Sequence, residues 1–272
     1  MSTGLFAARS QGPQHGQATL RKVGEGNSIA RETWLEAALR TIPPGHRILD
    51  AGAGELQYKR FCTHLDYVSQ DFGQYDGEGN TVGLQMDHWD NSRLDIVSDI
   101  CSIPVADNSF DAVMCIEVLE HVPDPVAAIR ELDRILRPGG TLVVTAPFCS
   151  LTHFAPYHFS TGFSRYFYET HLSDYEILDL AANGNYFEYL AQELRRLDSV
   201  STQYAGQRLG RLTKILISLL NRRLASLSKA GDQSQDLLCY GHHVLAKKGG
   251  GSILDEKPGT PPAETPLDSP IR

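Results

Sequence analysis

The sequence predicts an α/β chain in which short parallel strands are covered on both faces by helices. Three observations carry that expectation. Apolar runs of strand length recur from "HRILDAG" onward, each bounded by turn residues. Between the fourth and fifth of these runs, "DPVAAIRELDRILRPGG" places Val126, Ile129, Leu132, Ile135 and Leu136 at helical spacing. The first run also ends in Gly52-x-Gly54 and feeds a basic, helix-like stretch, the device by which a strand brings its backbone close to a ligand.

Taken in chain order, a helix is expected over Ser28–Thr41, with Ser28 as N-cap and Pro43-Pro44 as its stop. "HRILDAG", "LDYVSQDF", "LDIVSDI", "FDAVMCIEV" and "GTLVVTAPF" are the first five strands. Asp124 caps the helix between the last two, and Arg137-Pro-Gly-Gly ends it. Gly73 to Arg93 is rich in Gly, Asp and Asn and reads as a long loop, a kind more often functional than filler. Cys149 to Leu172, "CSLTHFAPYHFSTGFSRYFYETHL", is dense in histidine and aromatics and reads as a lid inserted after the fifth strand. Beyond it a helix is expected near Asp174–Ala182 and a strand near Phe187–Glu193, then a helix near Leu209–Leu227 and a last strand over Leu238–Ala246. Residues 1–25 and 249–272 have the composition of disordered ends, leaving 26–248 as one domain with 149–172 as its lid.

Composition excludes several function classes. With 272 residues and 41% apolar content, the chain can bury a sizeable core. No apolar run reaches the roughly 18 residues that span a bilayer, and the N-terminal stretch lacks a secretory h-region, so a cytoplasmic protein is expected. A net charge of -8 argues against nucleic acid as the main partner. The five cysteines are scattered and never spaced as Cys-x-x-Cys, which argues against a disulfide framework or a structural zinc site.

The ligand of the glycine turn is narrowed by its neighbours. A dinucleotide fingerprint would need a third glycine where Gln57 stands, and no phosphate-loop Gly-Lys-Ser/Thr follows. Asp50, just before the turn, would repel a pyrophosphate and suits a cationic group such as an ammonium or sulfonium. Asp71 ends the second strand, where a carboxylate can hold a ribose diol. Asp99 ends the third, with Ile100 beside it, and suits an exocyclic amine and an apolar base face. Each acid alone reads equally as a solvated turn residue or a helix cap.

Together these residues resemble the class I S-adenosylmethionine-dependent methyltransferases, in particular the methyltransferase-11-like branch, over roughly Ile29 to Lys247. "ILDAGAGE" is similar to the family's first motif, "DICSIP" to its adenine segment, "FDAVMCIEVLEHVPDP" to its fourth-strand motif and "LRPGGTLVVTAPF" to its fifth. The resemblance implies a Rossmann-like, doubly wound, seven-stranded and mostly parallel sheet with S-adenosyl-L-methionine as cofactor. It implies that Gly52 and Gly54 lie against the methionine part, Asp71 at the ribose, and Asp99 and Ile100 at the adenine, with Glu117 at the fourth-strand exit completing the set. Leu56 departs from the pattern, standing where the family often carries a third glycine.

Methyl transfer from a sulfonium needs the nucleophile held in line, and a base mainly when the acceptor is a hydroxyl. The catalytic candidates are His158, His153 and His121, with His171 a weaker one, and Glu117 and Glu120 flank the same exit. No metal is demanded by the sequence. Tyr157, Phe159, Phe163, Tyr166, Phe167 and Tyr168 either stack on an acceptor or form the lid's own core. The expected acceptor is a small molecule or sugar hydroxyl, methylated in glycan or natural-product biosynthesis. The alternative is a non-catalytic S-adenosylmethionine-binding regulatory or scaffold protein. Residues 208–229, basic and amphipathic, read either as a helix packed on the domain or as a contact with a membrane surface or lipid-linked substrate.

Overall fold

The structure, a computed structural model, describes residues 22–77, 83–84, 89–230 and 232–250. Its elements are α1 (Asn27–Arg40), β1 (Arg47–Ala51), β2 (Asp66–Asp71), β3 (Ile96–Val97), β4 (Phe110–Ile116), α2 (Pro125–Ile135) and β5 (Leu136–Pro147). They continue with α3 (Arg165–His171), β6 (Tyr175–Asn183), α4 (Tyr186–Ala205), α5 (Arg211–Ala230) and β7 (Gly241–Lys248). The seven strands form one sheet in the order β3-β2-β1-β4-β5-β7-β6. The pairings from β3 through β5 are parallel, and β7 runs antiparallel to both β5 and β6. The chain order reverses between β1 and β4, and ligands bind open α/β sheets at such a switch point.

Alternation along the central strands builds a core on each face. Leu49, Val113, Cys115 and Val144 face one side, where they meet Leu132 and Ile135 of α2. Ile48, Ala112, Met114 and Val143 face the other, where Leu35, Ala38 and Leu39 of α1 cover them. Each fully buried Leu or Ile contributes roughly 1.5–3 kcal/mol, so the two clusters hold the sheet firmly at its centre. Helix α2 starts where its N-cap was expected, the Asp124 carboxylate accepting the Ala127 N–H at 2.9 Å. Pro138 and Gly139 fall in the lead of β5, where the register against β4 shifts between Phe110 and Ala112.

Several expected elements differ from those observed. Helix α1 begins one residue before Ser28, with Gly26 as N-cap and no side-chain cap. "LDIVSDI" contributes only a two-residue strand. The segment expected to be helical at 174–182 is strand β6, and the segment expected to be a strand at 187–193 lies inside helix α4. Pairing with β7 along its whole length gives β6 its ladder, whatever the intrinsic preference of "YEILDLAAN". Asn185 explains the helix that follows, its side chain accepting the N–H groups of Phe187 and Glu188 at 3.1 Å.

The expected disordered ends lie mostly outside the described residues. Of the residues before 26 that are described, Val23 is buried against Ala191 and Leu224, and the Glu188 carboxylate accepts the Gly24 N–H at 2.8 Å. Helix α5 packs on α4 through Leu224 and its neighbours, while Leu212, Ile215, Leu216, Leu219 and Leu220 are exposed. No described helix is long and apolar enough to cross a membrane.

Candidate active site

A cavity of about 720 Å³ opens at the carboxyl ends of β1, β2 and β4. Its size falls in the range of cofactor and small-ligand sites, roughly 300–1,000 Å³. Gly52, Gly54, Asp71, Asp99, Ile100 and Glu117 all line it. Asp50 does not line it. It is 1% exposed, and the Tyr67 hydroxyl donates to it at 2.6 Å from behind the turn. Burial raises the Asp50 carboxyl to about 7, against the lowering effect of Tyr67, and the Asp71 charge adds to the rise.

The glycine turn has the geometry of a close-approach cradle. Gly52 and Gly54 have φ of +80° and +49°, so both residues need left-handed backbone. A Cβ on Gly52 would collide with the Val118 side chain, and one on Gly54 would meet Trp89 at 2.6 Å. Leu56 has φ +64°, so the chain takes at this residue the left-handed conformation that a glycine there would adopt freely.

Asp71 ties the turn to β2. One carboxylate oxygen accepts the Gly54 N–H at 3.0 Å and the other the Gly73 N–H at 2.9 Å. Burial raises its carboxyl, and the backbone donors of Gly73, Gly54 and Phe72 work against the rise. Asp99 accepts the Cys101 N–H at 2.8 Å, which fixes the turn that presents the buried Ile100.

One wall comes from a residue that the sequence reading did not single out. Arg31 of α1 lines the cavity and pairs with Glu117 at 2.9 Å, while the Thr145 hydroxyl donates to the other Glu117 oxygen at 2.9 Å. Glu117 itself has φ +57°, a strained conformation at the end of β4. The signal for Arg31 is weak, since a single arginine on a helix reads as a solvated residue. Trp89 is a second unexpected wall. With Tyr75 and Phe154 it forms an aromatic cluster, the ring centroids 4.6 to 5.8 Å apart.

Two histidines line the same cavity and a third packs against them. His121 and His153 line it, and the ring centroids of His121, His153 and His158 stand 4.6, 4.9 and 5.9 Å apart. Backbone bonds bring them together. Phe159 and Ser160 donate their N–H groups to the Glu120 carbonyl, and Leu84 bridges to His153. The carbonyls of Tyr157 and Leu151 face Nδ1 of His121 (2.5 Å) and His153 (2.9 Å). A carbonyl only accepts, so both Nδ1 atoms carry the proton and both Nε2 atoms present a lone pair. Burial, with His153 next to it, lowers His121 to about 3, and burial also lowers His153 and His158. His171 packs on Phe167 instead and does not line the cavity. The lid aromatics divide in the same way, with Tyr157 and Phe159 on the cavity and Phe163 and Tyr168 buried in the core.

Residues 49–144 match a family model described as a methyltransferase domain. Among curated proteins, a ubiquinone biosynthesis O-methyltransferase of Xanthomonas campestris pv. campestris (strain B100) is 34% identical over 115 residues, covering 40% of this chain and 46% of that protein. Cycloartenol-C-24-methyltransferase 1 of Oryza sativa subsp. japonica is 30% identical over 132 residues, covering 47% of this chain and 38% of that protein. The matched region therefore spans less than half the length of either relative. Among solved structures, a phosphoethanolamine N-methyltransferase 2 of Haemonchus contortus in complex with S-adenosyl-L-methionine is similar at TM-score 0.45 and 17% identity, covering 82% of this chain and 53% of that one.

Proposed function

We propose that this chain, which carries a class I S-adenosylmethionine-dependent methyltransferase domain of the methyltransferase-11 family across residues 49–144, methylates a hydroxyl on a small-molecule acceptor. The observation that carries this reading is a single cavity lined both by a glycine-and-carboxylate cradle and by His121 and His153. Residues 26–248 form the catalytic domain and 149–172 its acceptor lid.

The cradle fits the cofactor on its own chemistry. Gly52 and Gly54 allow close backbone approach, Asp71 keeps a carboxylate on the cavity for a diol, and Ile100 offers an apolar face. Arg31 adds a cation on the same wall, suited to a carboxylate end group. When bound, S-adenosyl-L-methionine supplies an activated methyl on a sulfonium. The residues of this chain bind and orient the two reactants, and such positioning can supply several kcal/mol of the barrier. His121 and His153 address the acceptor oxygen, with His158 packed against both, while Tyr157 and Phe159 give its carbon frame an apolar wall.

The ubiquinone biosynthesis O-methyltransferase relative supports the choice of a hydroxyl, whereas the cycloartenol relative is named for methylation at a carbon. The apolar face of α5 is exposed. That helix, which also carries Arg211, Lys214, Arg222 and Arg223, supports contact with a membrane surface or lipid-linked acceptor. A sugar hydroxyl in glycan or natural-product biosynthesis remains within the same chemistry.

Calorimetry with S-adenosylhomocysteine, followed by turnover assays on hydroxylated acceptors, tests the reading. Alanine at His153 or His158 is expected to cut turnover at least about tenfold while leaving cofactor affinity within about twofold. Loss of cofactor affinity with turnover otherwise normal would overturn this division of the cavity.

A further inference from the structure

The most unusual polar arrangement in the molecule is a set of acceptors that face one another. The Glu120 side chain is fully buried, and neither of its carboxylate oxygens has a hydrogen-bond partner. Its Oε1 lies 3.6 Å from Nε2 of His121 and 3.8 Å from Nε2 of His153. Both contacts are too long for hydrogen bonds. The Nδ1 protons of these two histidines already go to the Tyr157 and Leu151 carbonyls, so each Nε2 meets the carboxylate with a lone pair. His158 adds two more buried ring nitrogens with no partner. One ligand atom from each of the three histidines falls within 4.8 Å of the others.

We propose that His121, His153 and His158, together with the Glu120 carboxylate, bind one first-row divalent transition-metal ion of the zinc type. A cation at this point gives a partner at once to Glu120 Oε1 and to one acceptor nitrogen of each histidine, which a single proton on Glu120 cannot do at these distances. The ligand types select the ion, because imidazole suits zinc and its transition-metal neighbours, whereas magnesium and calcium take oxygen ligands. The Nδ1–H to carbonyl bonds of His121 and His153 are the outer contacts by which metal-bound histidines are oriented. Metal–nitrogen bonds of about 2.0–2.1 Å require the three rings to draw in by about an ångström. The loop at 151–160 carries two of them and can supply that movement.

His121 and His153 border the cavity, so the ion has an open side toward the acceptor end. The acceptor class then narrows to molecules that offer a hydroxyl oxygen as a metal ligand. This narrowing rests on the methyltransferase reading; the metal site itself does not.

The test uses full-length protein stripped with chelator and titrated with Co2+, with visible absorption as the reporter and Zn2+ retention after dialysis as the count. One ion per chain is expected. Ala at His153 or His158, and Glu120→Gln, should each weaken Co2+ binding at least about tenfold, with circular dichroism confirming the fold. Should a buried substitution unfold the chain, His158→Gln at the more accessible position carries the comparison. No ion retained by the unaltered protein, or one retained equally by the folded variants, overturns the assignment. S-adenosylhomocysteine calorimetry on the same samples separates the two readings. Cofactor binding without metal binding sinks the metal site alone, and metal binding without cofactor binding sinks the methyltransferase reading alone.

Discussion

The Asp71 carboxylate at the end of β2 accepts the Gly54 N–H of the β1 turn at 3.0 Å, so one side chain sets the spacing between the ends of these two neighbouring strands. Its second oxygen holds Gly73. An amide at this position keeps only one acceptor for these two donors. Asp71→Asn is expected to weaken S-adenosylhomocysteine binding at least about tenfold, or ~1.4 kcal/mol, by calorimetry. An unchanged titration would remove Asp71 from the cofactor site.

Leu56 can be tested without reference to any ligand. Its φ of +64° costs a residue with a Cβ about 1 kcal/mol that glycine does not incur. Leu56→Gly should therefore be more stable in urea than Leu56→Ala by about 1 kcal/mol. The reverse order would mean that the turn relaxes out of this conformation. Gly52→Ala is expected to be far worse than either, since it adds a Cβ that collides with Val118 as well as left-handed strain.

Asp50 makes a pH-dependent contribution to stability. Its carboxyl is raised by burial to about 7, above the ordinary value of 3.8. Between those two values the unfolded chain has released this proton and the folded chain still holds it. Stability from this group is thus complete below about 4 and is lost as pH rises toward 7. Asp50→Asn should gain on the unaltered protein as pH goes from 4 to 8, by an amount on the order of a few kcal/mol. Parallel denaturation curves at every pH would show that Asp50 ionises freely in the fold.

Helix α5 gives a prediction about surfaces. Leu212, Ile215, Leu216 and Leu219 are each more than half exposed, and basic residues flank them. Liposomes rich in anionic lipid should float the full chain, and Leu212→Asp with Leu216→Asp should reduce the floated fraction several-fold. Equal flotation of both proteins, or of neither, ends the idea of a membrane contact through this face.

The parallel half of the fold was legible because its strands are buried on both faces and read as apolar runs of the right length. The C-terminal half was not. "YEILDLAAN" is rich in Glu, Leu and Ala, residues that favour helices, and becomes β6 because β7 supplies a ladder from far along the chain. "YFEYLAQE" opens with aromatics that suggest a strand, and becomes α4 because Asn185 caps it. In the site, Gly52, Gly54, Asp71, Asp99 and Ile100 reach one cavity because each follows a strand whose end the sequence marks. Asp50 does not, because its side chain points behind the turn toward Tyr67. The meeting of His121 with His153 and His158 had no sequence spacing to announce it. Loop-to-loop backbone bonds create it, and these depend on the folded positions of Leu84 and Glu120.

The two-residue length of β3 has a bearing on the rims of the sheet. A sheet ends in two rows of unpaired backbone groups, and each is a template on which another chain can add a strand. Among the described residues one margin is β3, too short to hold a foreign segment in register. The other is β6, whose pairing shifts between Ile177 and Asp179 and whose outer residues include the exposed Glu176 and Asp179. Both rims are thus poor seeds for intermolecular β-addition, which leaves the sheet free to carry its open carboxyl end as a working surface.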